Sequence, residues 1–378
     1  MNGRSAEAGS RAATAERRHA APCCALGAPM TKCTRISALT VAFAAPQFQF
    51  APAHRRPLIF QSPPCQRLPD NSFSQERIMS TAADEYLATA LHVMECNSLH
   101  RDIVLWNELR EEASRRALGA TSPAETYDAI RWALSQLNDG HSFFAPPECG
   151  HAAIRQGQYD REATIPDGFL RSDRIAYLHV PGFRGSPEYE TRYIDVLQEF
   201  IALLDDAAPI GWIVDLIDNG GGNMWPMLAG LGPLLSEGPL GSFRFPMQPP
   251  AIWSYRAGQA LLDDVSLAHA TKGGYALRHP AKPIALLSNE RTASSGEAVL
   301  IAFVGRPNTC RFGITTRGLT TANDQFPLPD GATLFLTVGI FADRFGHVYG
   351  QALEPDFPCE GSKDIIQSRA AIWICGSN

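Results

Sequence analysis

Ser294 lies in a run of small residues, Thr292-Ala293-Ser294-Ser295-Gly296-Glu297, between two apolar stretches. The stretch before it, 283–289, reads as a buried strand, and the one after it, 298–304, as a helix. A serine at such a turn projects its hydroxyl beside the unpaired N–H groups of the new helix. Those N–H groups and the helix dipole favour negative charge, which is what an attacked carbonyl develops. Serine is also a preferred N-cap, so Ser294 or Ser295 can stand here for capping alone.

Two upstream segments bear on that choice. Gly211-Trp-Ile-Val-Asp-Leu-Ile-Asp-Asn-Gly-Gly-Gly222 is an apolar strand that runs into three glycines. Glycine accepts positive φ and lets backbone N–H groups approach a ligand, so Gly221 or Gly222 can supply an oxyanion donor beside the serine turn. The same residues also suit an ordinary tight turn before a helix near Asn223. Leu137-Asn-Asp-Gly-His141-Ser-Phe-Phe144 places a histidine just past a helix-like segment. A lone histidine is weak evidence, but a nucleophile and its base need only meet in the fold.

The elements that must position these residues follow from periodicity. Helical spacing is visible near 82–96, 102–118 and 124–136, with a capping start at Ser122-Pro-Ala-Glu125. These helices make a small cap that delivers His141 at its end. A strand at 174–180, a helix at 189–204 and a strand at 211–217 alternate, which implies parallel pairing. Residues 238–282 are broken by proline and glycine and read as a flap beside the cleft. A late strand covers 333–338.

Composition bounds the rest. The chain has 378 residues, 45% of them hydrophobic, enough for a sizeable core. Residues 1–78 carry a net charge of +6 and the remaining 300 residues −12, for a total of −6. The first 78, rich in Ala, Pro, Ser and Arg without sustained periodicity, read as a disordered leader or a mis-assigned start before Met79. A basic start at Met30 followed by the apolar run 36–45 forms a short secretory-signal pattern too short to span a bilayer. Translation from Met30 implies a periplasmic or secreted protein, and translation from Met79 a cytoplasmic one. The acidic body speaks against a nucleic-acid partner. Nine cysteines show no C-x-x-C spacing; Cys359 and Cys375 can pair or stay free. No metal-ligand spacing of histidines occurs, and no cofactor is expected.

Together these segments resemble the tail-specific, or C-terminal-processing, serine peptidases, which include the tricorn protease core. The resemblance spans about Tyr86 to Phe357. It rests on Asp139-Gly140-His141-Ser142, on Asp215 to Gly222, on Thr292 to Glu297, and on Gln351 to Asp356, in the family's order. It implies an α/β fold with a crotonase-like core and a parallel-rich sheet at 146–378, behind a helical cap at 79–145. It also implies Ser294 as nucleophile, His141 as general base, and an oxyanion hole from Ser295 with Gly221 or Gly222. The substrate implied is a peptide or protein.

The chain departs from the family in three ways. Leu319 stands where the Ser–Lys branch carries its lysine, which points to the branch with a histidine base. That branch orients its histidine with a preceding serine and a later glutamate, but here the positions hold Gly140 and Tyr349. Asp139, Ser142, Glu297 and Asp356 are the remaining candidates to orient the ring. About thirty residues separate Phe144 from the strand at Arg174, too few for the PDZ domain that many relatives insert there. Short peptides or accessible loops are therefore the expected substrates. A binding protein on the same scaffold and an acyl-ester or thioester hydrolase are the other readings.

Overall fold

The structure, a computed structural model, describes residues 81–147 and 164–377. All of them belong to one compact unit, Leu58–Asn378. The leader 1–78, the Met30 start and the Met79 boundary lie outside the described residues.

Three helices come first. α1 (Ala82–Asn97) opens with a capping box in which Thr81 and Asp84 each accept the other's backbone N–H. It buries Tyr86, Leu87, Ala90, Leu91 and Met94 along one stripe. α2 (Trp106–Arg116) and α3 (Tyr127–Ser135) pack against it, the latter after a 3₁₀ turn at Pro123–Thr126. Their core is shared with Phe144, Leu328, Leu334 and Leu336, so the helices rest on a β-sheet as well as on each other.

Six strands form one sheet in the order β13–β10–β9–β4–β3–β2. These are β2 (Asp167–Leu170), β3 (Ile175–His179), β4 (Gly211–Asp215), β9 (Ile284–Ser288), β10 (Thr309–Gly313) and β13 (Phe357–Pro358). All neighbours are parallel except the edge pair β2–β3. Alternate residues face opposite layers: Leu178, Val214 and Leu286 join the main core, while Tyr177, Ile213 and Leu287 pack with Ile366, Ala370 and Ile374 of α7 (Lys363–Gly376). With both faces covered, these strands read as continuous apolar runs. The main core is filled by α4 (Pro187–Asp206), α5 (Met224–Leu235) and α6 (Ser295–Ala302).

The second sheet has seven strands and is antiparallel throughout. Its path runs β1 (Phe143–Ala145), β12 (Thr333–Asp343), β5 (Gly238–Arg244), β6 (Ala251–Arg256), β7 (Gln259–Leu262) and β8 (Val265–His269). β11 (Thr321–Pro327) pairs with the other side of β12. The expected parallel-rich sheet thus accounts for only the smaller of the two. Within the expected flap at 238–282, residues 238–269 form instead a four-strand meander. Its two-residue turns, Ala257-Gly258 and Asp263-Asp264, hold all four residues at positive φ, as twisted hairpins require. Leu240, Phe243, Trp253, Tyr255 and Leu262 anchor it to the main core, a period-2 pattern masked by the intervening glycines and prolines.

Candidate active site

Ser294 is the N-cap of α6 and has φ +52° and ψ −117°. A non-glycine residue held in such a conformation costs about 1–3 kcal/mol and persists only where its surroundings fix it. Here they do. The Ser294 N–H donates to Glu297 Oε2 at 2.8 Å, Ala293 N–H to Asn219 O at 3.0 Å, and Thr292 Oγ1 to Leu216 O at 2.8 Å. The turn is thereby tied to the end of β4. In the run 292–303, Ser294 alone is not buried. Capping geometry and a half-buried side chain on a strained backbone coexist at one residue.

The glycine turn packs directly on this serine. Gly221 has φ +90°, and a Cβ there would come within 2.9 Å of Ala293 O and of Ser294 Cβ. Gly222 has φ +119°, and its Cβ would fall 2.0 Å from Phe183 O. Neither site admits a side chain without backbone movement. Ser295 Oγ donates to Gly222 O at 2.6 Å, which fixes the turn against the start of α6. The Gly221 N–H is committed to Asn219 Oδ1 at 3.0 Å. The N–H groups of Gly222 and Ser295 have no acceptor among the described residues. Of the two glycines, Gly222 therefore has the open donor.

Glu297 is fully buried and accepts four hydrogen bonds. Besides Ser294 N–H, they come from Thr316 Oγ1, from Gly318 N–H at 2.9 Å and from Leu319 N–H at 2.8 Å. Burial raises its pKa, while the four donors pull the other way. Glu297 joins the serine turn to the segment that leads into β11, and it makes no contact with a histidine ring.

His141 follows α3 through a turn in which Asn138 and Gly140 take positive φ. Asp139 builds that turn: its carboxylate accepts from His141 N–H at 3.0 Å, Ser142 N–H at 2.7 Å and Ser142 Oγ at 2.5 Å. The imidazole Nδ1 lies 2.7 Å from Thr321 Oγ1. Asn323 Nδ2 donates to the His141 carbonyl at 2.8 Å. Ring and backbone of His141 are thus both held by β11. Burial pushes the His141 pKa down to about 4, with Asp139 opposing, so the ring is neutral near pH 7.

The sequence-expected residues are distributed accordingly. Ser294 and His141 are anchored to opposite ends of one short run, 318–323: through Glu297 to Gly318 and Leu319, and through Thr321 and Asn323. None of the four candidates to orient the ring bonds the imidazole. Asp139 and Ser142 shape the backbone turn, Glu297 caps α6, and Asp356 pairs with Arg311 at 2.9 Å. Tyr349, at the position of the missing glutamate, donates to Asp343. Thr321, Asn323 and Asn219 were missed. Their types are common in strands and turns, and only tertiary contact distinguishes them. Cys310, Cys359 and Cys375 are free thiols, so the pairing of Cys359 with Cys375 is not made. Among the described residues, no group of three or more His, Cys, Asp or Glu is placed to hold a metal ion, and no helix is long and apolar enough to cross a membrane.

Residues 174–359 match peptidase family S41. The chain carries a peptidase family S41 domain. It is by that domain a serine-type peptidase. Ser294 and the glycine turn lie inside the matched residues of the S41 domain, while His141 comes from the helical part before it. The nisin-resistance protein of Lactococcus lactis subsp. lactis is 28% identical over 306 residues, which cover 79% of this chain and 88% of that protein. A lipoprotein from Streptococcus agalactiae shares the fold with a TM-score of 0.65 at 23% identity, covering 81% of this chain and all of that one. The photosystem II D1 C-terminal processing protease superposes with a TM-score of 0.53 at 16% identity, over 78% of this chain and 98% of its own.

Proposed function

We propose that this S41 domain hydrolyses peptide bonds through a Ser294 acyl-enzyme, with His141 as general base. The observation that carries this reading is Ser294 itself: the one residue of its run not buried, at positive φ, beside two open N–H groups. With Nδ1–H donating to Thr321 Oγ1, His141 Nε2 is left with a lone pair to take the Ser294 proton. Ser294 Oγ attacks the carbonyl carbon, and the N–H groups of Ser295 and Gly222 hold the oxyanion. The His141 imidazolium gives its proton to the leaving amine as the C–N bond breaks. Water, deprotonated by His141, then attacks the ester carbonyl and frees Ser294. Thr321 takes the place that a carboxylate holds in a Ser–His–Asp triad.

The parallel sheet with α6 rising behind the serine supports a crotonase-like core, on which the helical part supplies the base. The absence of room for a PDZ domain before β3 favours short peptides over captured protein tails. A relative named for nisin resistance makes nisin the first peptide to offer. The test is hydrolysis of nisin and of an unbiased peptide mixture, followed by mass spectrometry. Fragments made by the wild type and not by Ser294→Ala support the reading. Fragments that persist in Ser294→Ala assign the cleavage to another residue.

A further inference from the structure

Thr321, Ile340 and Arg244 stand opposite one another across β11, β12 and β5. Directly opposed residues in an antiparallel sheet project from the same face. Arg244 therefore shares the face on which Thr321 meets His141. The next pair along, Phe341 and Phe243, turns to the other face and into the main core.

The guanidinium of Arg244 has no partner. Its Nε is buried without an acceptor, and none of its nitrogens makes a hydrogen bond or ion pair among the described residues. Other partly buried arginines have partners: Arg110 with Glu95, Arg171 with Asp173, Arg311 with Asp356, and Arg306 with carbonyl oxygens, while Arg344, whose Nε is likewise buried without an acceptor, still donates through Nη2 to Ala302 O. Gly346 faces the guanidinium, and a Cβ there would lie 3.1 Å from Nη2. Asp343, at the start of the turn that holds Gly346, already accepts from Phe345 N–H, His347 N–H and Tyr349 Oη. A half-buried guanidinium without a counter-charge suits a planar, bidentate anion from outside the chain.

We propose that Arg244 is a substrate subsite for a carboxylate of the peptide, either an acidic side chain or a free C-terminus. Two strand spacings separate Arg244 from Thr321, about 10 Å. An extended peptide covers that distance in about three residues, so the carboxylate lies roughly that far along the substrate from the stretch beside Thr321. This inference rests on the peptidase reading above, and its test separates the two.

The experiment measures fluorescence anisotropy of labelled peptides with Ser294→Ala, which binds without turnover, and with the Ser294→Ala/Arg244→Gln double variant. The peptides carry Glu or Gln at each of four positions either side of a cleaved bond, or of the centre if none is cleaved, and end in an acid or an amide. The expected result is a preference of about tenfold for the carboxylate at one position, or for the free terminus, which Arg244→Gln abolishes. Adding Arg369→Gln, at an exposed arginine of α7, to Ser294→Ala leaves that preference intact. The position of the effect tells an acidic side chain from a C-terminus. No carboxylate preference, or one that survives Arg244→Gln, overturns the subsite. Failure of the wild type to cleave any peptide counts against the peptidase reading alone, because binding is read independently.

Discussion

The Nδ1 of His141 lies 2.7 Å from the Thr321 hydroxyl. A neutral hydroxyl can fix the ring's tautomer, but it brings no negative charge to stabilise the imidazolium. On the proposed mechanism His141 is therefore an oriented base of low basicity, and the consequences are measurable.

The first concerns pH. The His141 pKa is pushed from an ordinary 6.5 down to about 4 by burial, so the neutral base is populated at all pH values above about 4. The acid limb of kcat/KM is expected near pH 4. Because the folded pKa is depressed, the associated stability is complete above 6.5 and is lost as pH falls from there through 4. A limb at pH 6.5 or above contradicts this.

Thr321 is expected to act through His141 alone. Thr321→Val keeps the shape and removes one hydrogen bond, which should lower kcat about tenfold with little change in KM. Thr321→Ser should restore most of the rate. Thr321→Asp should move the acid limb upward, since a carboxylate favours the charged ring. Equal activity of the Val variant and the wild type removes Thr321 from the mechanism.

The two proposed oxyanion donors can be separated by two substitutions. Gly222→Ala forces the backbone away from Phe183 O and should reduce acylation of Ser294 about 100-fold or more. Ser295→Ala removes only the bond from Oγ to Gly222 O and keeps the Ser295 N–H, so its loss should stay below about tenfold. Pre-steady-state acylation rates distinguish them, and the reverse order would show that the Gly222 N–H is not used.

Glu297 ties the serine turn to Gly318 and Leu319. Glu297→Gln turns two acceptor oxygens toward four donors into one oxygen and an NH₂ group. The cost expected is about 1–3 kcal/mol, visible as a lowered Tm, together with slower acylation of Ser294. An unchanged Tm would show that this junction is not held by the carboxylate.

Much of the candidate site was legible in the residues. The run around Ser294, the three glycines and the segment around His141 mark themselves by type and by placement at element ends. What the sequence hid was partnership. Asp139 is two residues from His141 in the chain yet bonds its backbone, while Thr321 is 180 residues away and bonds its ring. The parallel strands showed as unbroken apolar runs because both faces are covered. The β5–β8 meander did not, since Gly238, Pro239, Gly241 and Gly258 interrupt its alternation. The choice between Gly221 and Gly222 turned on the Asn219 side chain, which no spacing rule reports.

The account stands most directly on the reactivity of Ser294. A fluorophosphonate probe applied to the full chain, with the adduct mapped by mass spectrometry, measures it. Stoichiometric labelling of Ser294 that is lost in His141→Ala is the predicted result. A folded wild-type protein that stays unlabelled, or labels equally well without His141, contradicts the mechanism.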